Sequence, residues 1–151
     1  MSDAVLDLPQ SREAIARLVP HQGRMCLWQR VVAADDRRIV LQAFDQSDGA
    51  HPLRHRDRLH AVHLCEYGAQ AMAVHGGLRA AATGGAARPG LLVALRGVTL
   101  HRDRIDDLDG ALECEAEVLV ESGTGGQYGF VIRHAGTVIA EGRAAVVHPP
   151  G

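Results

Sequence analysis

The stretch 61–77 constrains this chain more than any other. It reads Ala-Val-His-Leu-Cys-Glu-Tyr-Gly-Ala-Gln-Ala-Met-Ala-Val-His-Gly-Gly, a helix lined with small side chains and suited to burial on most sides. It also carries a carboxylate, Glu66, and an amide, Gln70, one turn apart. Burying a carboxylate without a partner is expensive, so a chain that does so has either a structural partner or a chemical use for it.

The segments around this helix read as one short helix and six strands. Ser11 caps an amphipathic stretch over 11–19, and Pro20 ends it, because the residue before a proline is pushed out of the α region. Stretches 25–34 and 38–44 read as strands joined across Asp35-Asp36-Arg37. Residues 45–60 are polar and irregular, and the central helix fades near 80–82 into Thr83-Gly84-Gly85. Segment 91–101 is apolar and β-rich. Segment 112–121 alternates, with Leu112, Cys114, Ala116, Val118 and Val120 on one face and Glu113, Glu115, Glu117 and Glu121 on the other. Segments 126–134 and 137–147 join through a turn at His134-Ala135-Gly136-Thr137.

One long helix excludes a parallel sheet covered on both faces. The economical arrangement is an antiparallel sheet curled around that helix, with Gly68, Ala69, Ala71 and Ala73 letting the two approach closely. Such a sheet leaves an edge or a face exposed, which favours pairing with a second copy.

Composition narrows the partners. The 151 residues make one domain, 1–151, with room for a core. Aromatics at 3% argue against a base-stacking platform, and a net charge of -2 without a basic block argues against nucleic acid. All 16 basic residues are arginine, which excludes a Schiff base on lysine. Cys26, Cys65 and Cys114 lie far apart in apolar surroundings and read as buried free thiols. Residues 1–10 lack the basic start and apolar core of an export signal, and helix 61–82 falls short of the ~20 apolar residues a membrane span needs. The expectation is a soluble cytoplasmic protein.

On a helix, residues three and four apart share a face, so His63, Glu66, Tyr67 and Gln70 form a polar stripe. Gln70 can donate to Glu66, and Tyr67 can give its hydroxyl to a neighbour. Two readings stand: a satisfied buried network that orients the helix or a dimer seam, or a catalytic acid whose pKa is raised by desolvation beside a pocket.

Glu66 followed by Ala69-Gln70-Ala71, and the opening Leu18-Val19-Pro20-His21-Gln22-Gly23-Arg24-Met25 with Leu27 and Arg30-Val31 after it, carry a family likeness. The chain resembles the hotdog-fold 3-hydroxyacyl-(acyl carrier protein) dehydratases, nearest to the divergent branch associated with aryl polyene clusters. By motif the likeness covers about 15–75. It implies an α+β hotdog fold, an antiparallel sheet wrapped around a long central helix.

The resemblance also implies roles. Glu66 corresponds to the helix carboxylate that protonates the departing 3-hydroxyl, and His51 is the nearest match to the histidine base, supplied across a dimer interface. Ala50-His51-Pro52-Leu53 stands where the family has Gly-His-Phe-Pro, so His55, His60 and His63 are alternatives, with Gln70 and Tyr67 in support. Backbone N–H groups of Ala61 and Val62 at the helix start would meet the enolate-like oxygen. The substrate would be a phosphopantetheine thioester on acyl carrier protein or coenzyme A, with no other cofactor. The assembly would be a homodimer or higher homo-oligomer, or a hetero-oligomer with another hotdog subunit.

Nine histidines invite a metal reading, yet no His-Glu-x-x-His occurs and the ligand set of three or four convergent groups is missing, so no metal is expected. His21 lies near the site or holds its turn. His75 reads as packing, and His101, His134 and His148 as surface or strand-end residues. Arg54, Arg56 and Arg58 flank the loop ahead of the helix and face a phosphopantetheine, an acidic carrier or solvent. Two other functions fit the same fold: an acyl thioesterase with Glu66 and Gln70 placing a water, and a non-catalytic partner subunit that binds acyl chains.

Overall fold

The computed structural model describes residues 8–19, 26–84 and 91–148. A short helix α1 (Arg12–Ala16) opens the chain, with the Ser11 hydroxyl accepting from the Ala14 N–H at 3.1 Å. Strands β1 (Arg30–Ala34) and β2 (Arg38–Ala43) follow as a hairpin. A 3-10 turn at Ala61–His63 leads directly into the long helix α2 (Leu64–Ala82). Strands β3 (Leu91–Leu100), β4 (Leu112–Ser122), β5 (Gly125–His134) and β6 (Thr137–Val147) complete the chain.

The six strands form a single antiparallel sheet in the order β1-β2-β4-β5-β6-β3. The alternation in 112–121 holds as far as Val118; beyond a shift in the β4–β5 register Val120, expected on the buried face, is exposed. Leu112, Cys114, Ala116 and Val118 are buried against the helix, and the intervening glutamates point the other way. The β5–β6 turn places Ala135 at φ 50° and Gly136 at φ 81°, the pair of positive angles a two-residue hairpin turn requires.

Helix α2 lies across β2, β4 and β5. Gly68 is the point of closest approach: a Cβ there would stand 2.8 Å from the Phe130 ring of β5, so only glycine admits the contact. Gly77 serves the turn after α1 in the same way, since a Cβ would come within 2.4 Å of the Leu18 carbonyl oxygen. The core formed between sheet and helix includes Trp28, Leu41, Leu64, Ala71, Val74, Phe130 and Ile132.

Two differences from expectation have physical causes. The ladder expected from residue 25 begins only at Arg30 among the described residues, because the Leu27 N–H is given to the Gln70 side chain rather than to a neighbouring strand. Cys26 and Cys114 are buried free thiols, whereas Cys65 is only half-buried on the open side of α2. Among the described residues, no helix is long and apolar enough to cross a membrane.

Candidate functional site

The first turns of α2 carry two polar pairs that point in different directions. Successive residues on a helix are about 100° apart, so neighbours in sequence need not share surroundings. Glu66 lies on a seam with Val62, Ala69, Ala73 and Gly76 that the sheet leaves exposed or half-exposed. The buried carboxylate expected from the small-residue helix is therefore exposed within a single protomer, because α2 turns its glutamate away from the sheet.

The carboxylate is nonetheless held. Gln70 Nε2 donates to Glu66 Oε2 at 3.2 Å, and Gln70 Oε1 accepts the Leu27 N–H at 2.8 Å. The second bond fixes which end of the amide faces Glu66.

Tyr67 points inward and is fully buried. The Trp28 ring meets it edge-on at 5.2 Å, and the Trp28 indole N–H donates to the Tyr67 carbonyl at 2.8 Å. The Tyr67 hydroxyl lies 3.0 Å from His51 Nε2, while the Leu53 N–H donates to His51 Nδ1 at 3.2 Å. His51 is 5% exposed. Burial lowers its pKa below the usual histidine value, and burial pushes the Tyr67 phenol up. The single polar stripe expected on α2 is thus two pairs, Glu66 with Gln70 outside and Tyr67 with His51 inside.

The other expected residues divide. His63 is half-buried at the start of α2; burial lowers its pKa, His60 adds to the effect and Glu66 opposes it. His60 is exposed and joins Arg104 through a backbone bridge. His55 is exposed in a tight hairpin with Arg58, closed by backbone bonds of 2.8 and 3.0 Å, with Arg56 at φ 51° and Asp57 at φ 64°. His21 lies outside the described residues, as does the stretch 20–25 of the opening motif. The Ala61 N–H donates to the Asp103 carbonyl at 2.9 Å, so the fold itself uses that expected oxyanion donor. Val62, next in the 3-10 turn, is the donor left from that expectation.

Arg54 also differs from its neighbours. It bonds to the Ser47 and Asp57 carbonyls at 3.2 Å each and lies 3.9 Å from Asp106, whereas Arg56 and Arg58 are exposed. Among the described residues, no group of three or more His, Cys, Asp or Glu side chains is arranged to hold a metal ion.

Asp106 is a supporting residue that sequence reasoning passed over. It accepts the Leu59 N–H at 2.9 Å and pairs with Arg104, and the Arg104 guanidinium holds its carboxyl well below the usual carboxylate range. The Ile105 N–H also donates to the Leu59 carbonyl, at 2.9 Å. These bonds pin the segment between His51 and α2 onto the loop after β3. In sequence Asp106 sits among Asp103, Asp107 and Asp109, and nothing local distinguishes it. Trp28 was passed over as well, although the chain's one tryptophan in an apolar stretch is a signal that could have found it.

A six-stranded antiparallel sheet wrapped around one long helix defines a hotdog-fold protein, and known structures agree. The chain superposes on the dehydratase heterocomplex ApeI:P of Xenorhabdus doucetiae with a TM-score of 0.82 at 24% identity, over 90% of this chain and 91% of that one. It matches a conserved protein of Pseudomonas aeruginosa (TM-score 0.55, 19% identity, 79% and 86% coverage). A hypothetical thioesterase with coenzyme A from Streptococcus pneumoniae is comparable (TM-score 0.56, 13% identity, 79% and 84% coverage). No curated protein matches the chain. The ApeP-like family, described as ApeP dehydratase, matches residues 13–151, and the chain belongs to that family.

Proposed function

We propose that this protein removes water from 3-hydroxyacyl thioesters, carried on acyl carrier protein or coenzyme A, to give trans-2-enoyl thioesters in the cytoplasm. The observation that carries the reading is Glu66, exposed at the start of α2 with Oε2 against the fixed amide of Gln70. Membership of a dehydratase family supports the same reaction class.

The chemistry needs a base and an acid. The thioester carbonyl acidifies the C2 proton, and a histidine suits its removal. The C2–H electron pair becomes the C2=C3 bond, the C3–O bond breaks, and the proton on Glu66 goes to the departing hydroxyl to make water. His51 is assigned the base role, and the Val62 N–H faces the charge that develops on the thioester oxygen. The thioester carrier is the one group the reaction draws on beyond the protein.

Within one protomer His51 packs on Tyr67 while Glu66 faces outward, and this supports a site completed across an interface. The outer edge of β3 supports it too. This strand ends the sheet, and Leu92, Leu95, Val98 and Leu100 are exposed along it. The partner is a second copy or another hotdog subunit. The exposed Arg56 and Arg58 suit an acidic carrier or the phosphate of its prosthetic arm.

A second reading has its own support, since the neighbour from Xenorhabdus doucetiae is a heterocomplex. In that reading this chain is a partner subunit that completes another chain's site. Incubation with a 3-hydroxyacyl thioester and with a saturated one decides among the functions. Enoyl product from the first supports dehydration, and free thiol from the second supports a thioesterase. Intact assembly without turnover, before and after Glu66→Gln, supports the partner subunit.

A further inference from the structure

We propose that His63 is the proton relay of the site and returns a proton to Glu66 after each turnover. The inference deepens the dehydratase reading and rests on Glu66 being its acid.

A dehydration leaves its acid spent. Once the 3-hydroxyl departs as water, Glu66 is a carboxylate and needs a proton before the next substrate reacts. Gln70 holds Glu66 Oε2 at 3.2 Å, but an amide has no acidic proton to give. The interface that the dehydratase reading lays over this seam also shuts water away from the carboxylate. The reaction then needs a titratable group that touches Glu66 on one side and solvent on the other.

His63 occupies that place. Residues on a helix are about 100° apart, so Glu66, three positions on, lies about 60° to one side of His63, and Tyr67, four positions on, about 40° to the other. The 3-10 turn runs straight into α2, with His63 at φ -68° and ψ -12°, so the helical spacing holds across the join. Glu66 is thus bracketed by His63 one turn before it and Gln70 one turn after. Burial follows the same order: Tyr67 is fully buried, His63 half-buried and Glu66 exposed.

The ring is also uncommitted. His63 makes no side-chain hydrogen bond among the described residues, so one nitrogen is open to Glu66 and the other to solvent. The titratable groups facing it are His60 from the segment before the 3-10 turn, Glu66 from α2 and His51 from the loop after β2. Burial lowers its pKa, so the ring is neutral and ready to pass a proton at neutral pH.

The transfer balances. An N–H bond of His63 breaks and an O–H bond forms on Glu66, while the other ring nitrogen takes a proton from hydronium or a buffer acid. The ring ends neutral with its proton on the other nitrogen, and exchange with solvent resets it.

Rapid-quench and steady-state assays of the assembled protein with a 3-hydroxyacyl-coenzyme A thioester test the relay. In His63→Gln the first turnover should keep its native rate, because Glu66 begins protonated, and enoyl product should appear as a burst. Later turnovers should slow about 100-fold, the lower end for a positioned proton-transfer group, and added imidazole should restore them. In a nitrogen-15 titration of labelled histidine, with His63→Gln identifying the signal, Glu66→Gln should lower the His63 pKa. A first turnover slowed as much as the later ones, a steady-state rate matching the native one, or a His63 pKa indifferent to Glu66→Gln overturns the proposal. Absence of any dehydration by the native protein defeats the dehydratase reading and the relay with it, whereas the relay alone fails when the native protein turns over and His63→Gln matches it.

Discussion

Gln70 Nε2 lies 3.2 Å from Glu66 Oε2, and the same Gln70 side chain accepts the Leu27 N–H at 2.8 Å. One amide thus ties an exposed carboxylate to the backbone that leads into β1. Replacing Gln70 with leucine keeps the volume and removes both bonds. The Leu27 N–H then loses its acceptor in the interior, which costs about 1–3 kcal/mol. Denaturant titration should show that loss, and turnover should fall because the Glu66 carboxylate is no longer held in one orientation.

Phe130 is caught between two glycines: a Cβ on Gly68 would stand 2.8 Å from its ring, and one on Gly142 would stand 3.1 Å from the opposite end. The ring therefore has no room to retreat. Gly68→Ala gains about 1 kcal/mol of helix propensity but strains the packing by about 1–3 kcal/mol, for a net destabilisation on the order of 1 kcal/mol. Pairing it with Phe130→Leu should recover part of the loss, and the non-additivity is measured by a double-mutant cycle.

His75 gives the stability a pH dependence of definite sign. It is fully buried; its Nε2–H donates to the Asp35 carbonyl at 2.7 Å, and its Nδ1 accepts from the Tyr128 hydroxyl at 2.6 Å. Burial lowers its pKa from 6.5, with Arg79 acting in the same direction and the Asp35 carbonyl bond opposing. The unfolded chain therefore binds more protons on the acid side. The His75 contribution is complete above about pH 6.5 and is lost as pH falls through that value toward the depressed folded one. His51 and His63 act with the same sign. Unfolding midpoints measured from pH 8 to pH 5 should fall toward acid, with a shallower slope in His75→Gln.

Asp106 pins the segment between His51 and α2 through the Leu59 N–H and Arg104. Asp106→Asn leaves an acceptor for Leu59 and removes the negative charge, which costs about 1–3 kcal/mol for hydrogen bonds to a charged group. Hydrogen exchange should quicken over 51–61 while the strands of the sheet keep their protection.

The fold was legible in the sequence because its signals are local and periodic. The alternation from Leu112 to Val118, the turn at Ala135-Gly136 and the close approach at Gly68 each act over a few positions and take effect as expected, whereas Val120 is exposed and Ala69 and Ala73 fall on the seam the sheet leaves open. The site was legible only in part, because its contacts join distant segments. His51 meets Tyr67 from 16 residues away, and Leu59 meets Asp106 from 47 residues away. No helical spacing announces either pair. The exposure of Glu66 follows from the rotation of α2 against the sheet, which the order of small residues leaves open. The hydrogen bond from Gln70 to Glu66, four residues apart on one helix, is the part of the site that spacing alone gives.

The assignment of Glu66 as the acid is the central claim, and Glu66→Gln tests it most directly. The amide keeps the shape and can still bond to Gln70, but it has no proton to give the departing hydroxyl. Rates of enoyl thioester formation from a 3-hydroxyacyl thioester, measured on native and Glu66→Gln protein in the same oligomeric state, should differ by at least about 100-fold, the usual contribution of a general acid. Near-native turnover by Glu66→Gln would contradict the account.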